Sequence, residues 1–253
     1  MKAPKIYRKK GGFTLIELIV VIAILCTLAA VGYGPIMDHL NDGDRQIASS
    51  NLSNISTALI DFNTEVTGYP SDETAEQMQT TMEEAGKDFG ALQGNNSNCY
   101  FRQLMVRDGS LAEKIFFAKV KGVTAEGDNK KANGKALQAG ENAFSYVMMQ
   151  STDGEGYRGV TSRGACPIVM TPTRKSAKAF TGADVEFDLT PFRGHVFVLY
   201  TDKSIKDFKG DKQVKENEDD DTIGTLAVDI FPENAKTGES KADRYTILGP
   251  DLK

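Results

Sequence analysis

This chain of 253 residues has little of what metal sites and nucleotide sites require. It contains no tryptophan, three cysteines and two histidines, His39 and His195. Because no Cys-x-x-Cys spacing accompanies these few ligands, a zinc site is not expected. The chain also has no Walker loop and no Gly-x-Gly-x-x-Gly sequence. No Gly-x-Ser-x-Gly elbow accompanies His195, so the sequence does not predict an enzyme.

The chain is also poor in basic clusters. Its formal net charge of -5 comes from 30 basic and 35 acidic residues. An acidic chain without a basic patch in its sequence is not expected to bind nucleic acid. The fractions of hydrophobic residues (40%) and charged residues (26%) are those of an ordinary globular protein, and the length suits a single core.

The most informative stretch joins a basic leader to an apolar run, and it reads Arg8-Lys9-Lys10-Gly11-Gly12-Phe13-Thr14-Leu15-Ile16-Glu17. The apolar run extends from Phe13 to Met37 and is interrupted only by Glu17. At ~1.5 Å per residue it reaches about 37 Å, which is enough to span a hydrocarbon core. A charge at mid-bilayer costs ~2.5–3.5 kcal/mol, so Glu17 is predicted to be a functional residue with a partner.

This order of residues resembles the prepilin-type cleavage and methylation segment of type IV pilins and type II secretion pseudopilins. The resemblance implies that a prepilin peptidase cuts between Gly12 and Phe13 and that the new amino terminus at Phe13 is N-methylated. It also implies that Glu17 pairs with the Phe13 ammonium of a neighbouring subunit during assembly. Loss of the leader, which holds five basic residues, would leave 25 basic and 35 acidic residues and a net charge of -10.

The resemblance further implies a bacterial inner-membrane protein with a cytoplasmic amino terminus and a periplasmic domain, later part of a filament. All five leader cations precede the apolar run, as the positive-inside rule requires. The expected partners are copies of itself or related pilin-like subunits, the prepilin peptidase, the inner-membrane assembly platform and the lipid bilayer. No cofactor is expected.

Other functions compete with this interpretation. A plain signal anchor would leave Glu17 and the Gly12–Phe13 junction unexplained, and a secretory signal peptide has a shorter apolar centre. A membrane-anchored scaffold or binding protein that keeps the leader but does not polymerise is the main alternative to a filament subunit. An anchored hydrolase has no supporting group of residues.

Four segments are predicted along the chain: a cleaved leader (1–12), a transmembrane or filament-core helix (13–37), an amphipathic continuation of that helix (38–70) and an exported globular domain (71–253). The continuation carries an apolar stripe at steps of three and four residues, formed by Leu52, Ile55, Leu59, Phe62 and Val66. Pro35 predicts a kink or local melting. Gly68 followed by Pro70 predicts the helix end, which also resembles the end of the long helix in major pseudopilins.

The remainder predicts an α+β fold in which the long helix packs on an antiparallel sheet, as the resemblance also implies. A second helix is expected from Asp72 to about Leu92, with Met78 and Met82 as core residues, and a short helix over Phe101–Arg107. Short β-branched or aromatic segments predict strands at Lys114–Val120, Ala143–Met149, Pro167–Thr171, Val185–Leu189, His195–Tyr200, Ser204–Phe208, Thr225–Ile230 and Tyr245–Leu248.

Two site predictions leave alternatives open. Cys99 and Cys166 lie in the exported part, where a disulfide is permitted, and the alternative is two unpaired buried thiols. Cys26 lies in the apolar run and is expected to act as a small apolar residue. The acidic cluster that includes Glu218, Asp219, Asp220 and Asp221 is a candidate calcium site, with a solvated loop over 209–221 as the alternative.

Overall fold

The structure is a computed structural model that describes residues 14–124, 126–150, 156–160, 164–173, 185–210, 212–217, 223–232 and 244–252, with the backbone alone for 32–41. Helix α1 spans Leu15–Val66, α2 spans Asp72–Glu84, and α3 spans Ser97–Arg107. A 3-10 turn covers Glu113–Phe116. The combination of helices with antiparallel sheets confirms the predicted α+β class.

The chain divides into two units, Met1–Asn41 and Asp42–Lys253, and each is described by itself. In the first unit, the described part of α1 exposes its large apolar side chains, from Leu15 at 76% to Val31 at 79%. Within the described residues, no helix combines the length and the apolarity needed to cross a membrane. The helix continues through Pro35, so of the two effects predicted there, a kink or local melting, local melting is wrong and the kink stays a prediction.

In the second unit, the apolar stripe of α1 is buried as predicted. Leu52, Ile55 and Phe62 are fully buried in the core, and Leu59 is almost so. Burial of each such side chain contributes roughly 1.5–3 kcal/mol of stability. The helix ends at Val66, where the sequence places its end, but Thr67 rather than Gly68 takes the left-handed conformation, with a φ of 61°.

Helices α2 and α3 begin with side-chain caps. Ser71 and Thr74 form a capping box at the start of α2, and the Asn96 side chain accepts a hydrogen bond from the Cys99 amide at the start of α3. Helix α2 ends at Glu84, earlier than the predicted Leu92, because Gly86 takes a left-handed conformation with a φ of 61°.

The main sheet is antiparallel, and its strand β1 pairs with three other strands. Its strands are β1 (Ser145–Gln150), β2 (Tyr157–Arg158), β3 (Pro167–Met170), β5 (Val196–Tyr200), β6 (Ile205–Phe208) and β9 (Tyr245–Leu248). The order is β2-β1-β3-β5-β6, and β9 pairs with β1. A second, three-stranded sheet contains β4 (Glu186–Asp188), β7 (Val214–Glu216) and β8 (Ile223–Leu226) in the order β4-β8-β7.

Both faces of the main sheet are buried, because alternate residues of its strands enter two different cores. Tyr146 and Phe197 belong to the cluster that contains the stripe of α1 together with α2 and α3. Their sequence neighbours Val147 and Val198 belong to the cluster that contains Val214 and Leu226 of the second sheet. The main sheet therefore separates a helical layer from the second sheet.

Two strand predictions are wrong or displaced. Lys114–Val120 contains the 3-10 turn and no strand, because its backbone carbonyls at Lys114 and Phe117 accept hydrogen bonds from the Asn51 side chain of α1. The strand predicted at Thr225–Ile230 begins earlier, at Ile223. Part of the predicted solvated loop is instead β7, whose Val214 packs in the core of the second sheet.

Candidate functional site

The start of α1 carries a capping box that involves Glu17. The Thr14 amide donates to Glu17 Oε2 at 2.7 Å, the Thr14 hydroxyl donates to the same oxygen at 2.7 Å, and the Glu17 amide donates to Thr14 Oγ1 at 3.3 Å. Such a box satisfies amides that a helix start leaves without partners. The Thr-x-x-Glu spacing from Thr14 to Glu17 is a sequence signal for this cap that is separate from the apolar run.

The cap determines where the Glu17 carboxylate lies. It turns back toward the helix start, next to the backbone of Thr14, which is the residue after Phe13. Both hydrogen bonds from Thr14 use Oε2, and within the described residues Oε1 accepts none. The carboxylate also lies at the positive end of the α1 dipole, which favours a negative charge there.

Glu17 is the one charged residue on an apolar surface. From Leu15 to Val31 no other charged residue occurs, and large side chains such as Leu18 and Ile24 are more than half exposed. An exposed apolar surface of this kind marks a site that a membrane or another protein covers. Gly12 and Phe13 lie outside the described residues, so cleavage and methylation there stay predictions.

His195, for which the sequence predicts no catalytic role, makes side-chain contacts to two other elements of the fold. Its ring lies between Asp207, which contacts Nδ1, and Arg45 of α1, which contacts Nε2. A serine triad requires a nucleophile at the second ring nitrogen, where the guanidinium lies instead. The sequence gives no signal for this arrangement, because Arg45 lies 150 residues from His195.

Cys99 and Cys166 are not joined to each other. Cys99 and Cys166 are both free and buried, so the structure has the second of the two predicted alternatives. Cys99 lies in the core on the helical side of the main sheet, and Cys166 lies in the core on the other side. A disulfide requires Cα atoms roughly 4.4–6.8 Å apart, which side chains on opposite faces of a sheet do not offer. Cys26 is exposed on α1.

The candidate calcium residues Glu218, Asp219, Asp220 and Asp221 lie outside the described residues, between β7 and β8. Elsewhere in the described part of the chain, no group of three or more His, Cys, Asp or Glu side chains could hold a metal ion. Calcium binding therefore stays an untested prediction.

Comparison with protein families identifies the prokaryotic N-terminal methylation motif at residues 7–33. This motif is the signal of type IV pilins and pseudopilins, so the resemblance of the segment around Gly12, Phe13 and Glu17 is confirmed. The motif supports a pilin-like or pseudopilin precursor. No curated protein and no solved structure matches the chain.

Proposed function

We propose that this chain is the precursor of a structural subunit of a type IV pilus-like or type II secretion pseudopilus filament. A prepilin peptidase removes residues 1–12, and the amino group of Phe13 is then methylated. The observation that carries the proposal is the methylation motif at residues 7–33, placed directly on a helix start where Glu17 is the one charge among exposed apolar side chains. A structural role of this kind needs no catalytic site.

The apolar surface of α1 is covered first by lipid and later by the helices of other subunits. In the stored subunit, the run from Phe13 to Met37 lies in the inner membrane and its side chains contact lipid. In the filament, the same side chains pack against equivalent helices of neighbouring subunits. Lipid chains and packed apolar helices are similar in polarity. A subunit can therefore move from the membrane into the filament without exposing its apolar surface to water.

Glu17 supplies the polar contact that sets the register of each added subunit. In the stored subunit its Oε2 is satisfied by Thr14, while Oε1 has accepting capacity left. The ammonium of Phe13 in a neighbouring subunit can bind there and neutralise the charge in an apolar setting. Such a contact is head-to-tail, and a heterologous contact that does not close produces an open filament.

Processing is tested on protein isolated from membranes. Intact-mass measurement and N-terminal sequencing are expected to show a chain that begins at methylated Phe13. Gly12→Val is expected to block leader removal, because the bulkier side chain stands next to the cut, whereas Gly11→Ala serves as the matched control and is expected to be processed. A mature chain that begins at Met1 or near Ala29 contradicts the proposal.

Polymerisation is tested separately, because the anchored scaffold would also be processed. Two differently tagged copies carry Leu15→Cys near Phe13 and Leu18→Cys near Glu17, with the native cysteines Cys26, Cys99 and Cys166 replaced. Oxidative crosslinking between the two tags is expected for a filament subunit. A correctly processed protein that gives no crosslink favours the scaffold that does not polymerise.

A further inference from the structure

The first residues of the second unit, 42–47 of α1, are attached to the rest of the domain through polar side chains. None of these residues buries an apolar side chain, and the first buried apolar residue of α1 in this unit is Ala48. Within this stretch, Arg45 contacts His195, which directly precedes β5 and is 5% exposed. The attachment of this part of α1 to the main sheet therefore depends on a titratable side chain.

The contact between Arg45 and His195 requires a neutral imidazole. Arg45 Nη1 lies 2.6 Å from His195 Nε2, and a guanidinium can only donate, so Nε2 has to accept. The ring proton then lies on Nδ1, which is 2.7 Å from Asp207 Oδ1. In an imidazolium both ring nitrogens carry a proton, so a donor and a positive charge on the ring would face the guanidinium. Only the contact with Asp207 survives protonation.

The charged groups around the ring come from three elements. Arg45 approaches it from α1, and Asp207 approaches it from β6. Asp42 of α1 contacts the guanidinium of Arg45, and Glu216 of β7 lies beside the residue that precedes His195. Because Asp207 can accept a proton from either form of the ring, the charge of the ring decides the contact with Arg45 alone.

The guanidinium has an alternative place next to its present one. A groove of about 700 Å³ lies between α1 and the edge of the main sheet, and Arg45 and Asp42 line it together with Gln46. Arg45 Nε is buried and, within the described residues, donates no hydrogen bond. By moving into the groove, the side chain can keep Asp42 of its own helix as a partner and offer Nε to water. Loss of the imidazole therefore leaves no buried, unpaired guanidinium.

We propose that protonation of His195 releases Arg45, so that in acid residues 42–47 of α1 detach from the main sheet while the helix from Ala48 onward stays packed. The contact stabilises the neutral ring, so its contribution is present at higher pH and is lost as the pH falls through about 8 to 5, where histidines change charge. This pH-sensitive attachment goes beyond the proposed function, because it concerns the exported domain whether or not the chain polymerises.

Hydrogen exchange of the full-length protein in detergent micelles tests the release. The exchange rate of peptides that contain residues 42–47 is divided by the intrinsic rate at the same pH. This ratio is expected to rise about tenfold or more between about pH 8 and about pH 5, because a hydrogen bond with a charged donor is lost. Carboxyl groups ordinarily titrate near about pH 4, below this range. Peptides from 52–62 are expected to stay protected, which separates local release from unfolding.

Variants assign the response to the two side chains. Arg45→Ala and His195→Gln are expected to change the ratio less than about twofold over the same range, because the contact is absent or carries no titratable ring. His39→Gln removes the other histidine of the chain and is the matched control, expected to respond like wild type. Lys119→Ala, which removes the ion pair of this stretch with Asp44, is expected to keep the response as well.

A direct measurement on the ring makes the test independent of how the variants fold. The imidazole ¹⁵N chemical shifts of His195 are assigned by their loss in His195→Gln. In wild type they are expected to show a neutral ring with its proton on Nδ1 at about pH 8 and a doubly protonated ring at about pH 5.

The two measurements together decide the inference. A ring that titrates as expected while peptides of 42–47 lose protection supports it. A neutral ring with its proton on Nε2, a ring whose charge stays the same over this range, or a titrating ring without any change in the exchange of 42–47 overturns it. Equal responses of wild type and His195→Gln overturn it as well. None of these outcomes bears on the filament function, which processing and crosslinking near Glu17 test separately.

Discussion

Arg45 Nη1 lies 2.6 Å from Nε2 of His195 and connects α1 to the main sheet. A guanidinium can only donate, so Nε2 accepts and the ring proton lies on Nδ1, from which it is donated to Asp207 at 2.7 Å. His195 is 5% exposed and stacks on Phe197. Arg45 therefore attaches the second half of α1 to the main sheet through the imidazole of His195, in addition to the packing of the apolar stripe.

This contact predicts a measurable loss of stability. In a chain of residues 42–253, Arg45→Ala is expected to lower the free energy of unfolding by ~1–3 kcal/mol, since buried Nε2 loses its donor. Urea unfolding measures this. Lys119→Ala, which removes an exposed ion pair with Asp44, is the control and is expected to cost less than about 1 kcal/mol. In a His195→Gln background the effect of Arg45→Ala should shrink, and an unchanged effect would contradict the coupling.

Acid is expected to weaken the attachment of α3 to the end of α1. Arg107 hydrogen-bonds Glu65 and holds the pKa of that carboxyl below its ordinary value of 4.5. Because the folded pKa is depressed, the stabilisation is present above pH 4.5 and is lost as the pH falls through the folded pKa. Glu65→Gln should therefore make Tm less sensitive to pH below 4.5, whereas Glu84→Gln, an exposed control on α2, should not. Equal pH profiles for wild type and Glu65→Gln would contradict the prediction.

The two buried cysteines are expected to be free and slow to react. Burial raises the pKa of Cys166 to about 11, so roughly one thiol in a thousand is ionised at pH 8. Burial also raises the pKa of Cys99. In residues 42–253 under non-reducing conditions, a thiol reagent at pH 8 should label neither cysteine rapidly in the folded protein and both after unfolding in urea. No label after unfolding would indicate a disulfide between them.

Glu17 is expected to act in assembly and not in processing. Glu17→Ala should still lose its leader, yet it should assemble poorly, because loss of one partner of a charge pair in an apolar setting costs ~3–5 kcal/mol. Glu17→Asp should be milder, since the charge remains while its reach shortens. The readout is the fraction of subunits in sheared or crosslinked filaments.

Thr14 variants separate the capping role of Glu17 from its pairing with a neighbour. Thr14→Val removes the hydroxyl and leaves the Thr14 amide that donates to Glu17. We expect it to assemble better than Glu17→Ala, because the carboxylate remains for the neighbouring ammonium. If Glu17→Ala assembles as well as wild type, the pairing with Phe13 is wrong.

Several elements could be predicted because their signals are local. The stripe from Leu52 to Phe62 repeats at helical spacing, and the strand at Tyr245–Leu248 was predicted at its observed bounds. Lys114–Val120 was predicted wrongly, because its apolar composition suits both a strand and a buried turn. Asn51, distant in sequence, decides between them by bonding the carbonyls of Lys114 and Phe117.

Residue order is enough to reveal the methylation motif, the apolar run with Glu17, and the α+β class, because each depends on residue order or on periodicity within one segment. Tertiary structure alone decided that Cys99 and Cys166 lie on opposite sides of a sheet, that Arg45 meets His195, and that Lys87 joins Lys135 at one cavity. The first two relationships depend on how strands pair and which face each residue takes, and the third depends on how two connecting segments pack. One step in register moves a side chain to the other face, and no local pattern specifies that across such distances in the chain.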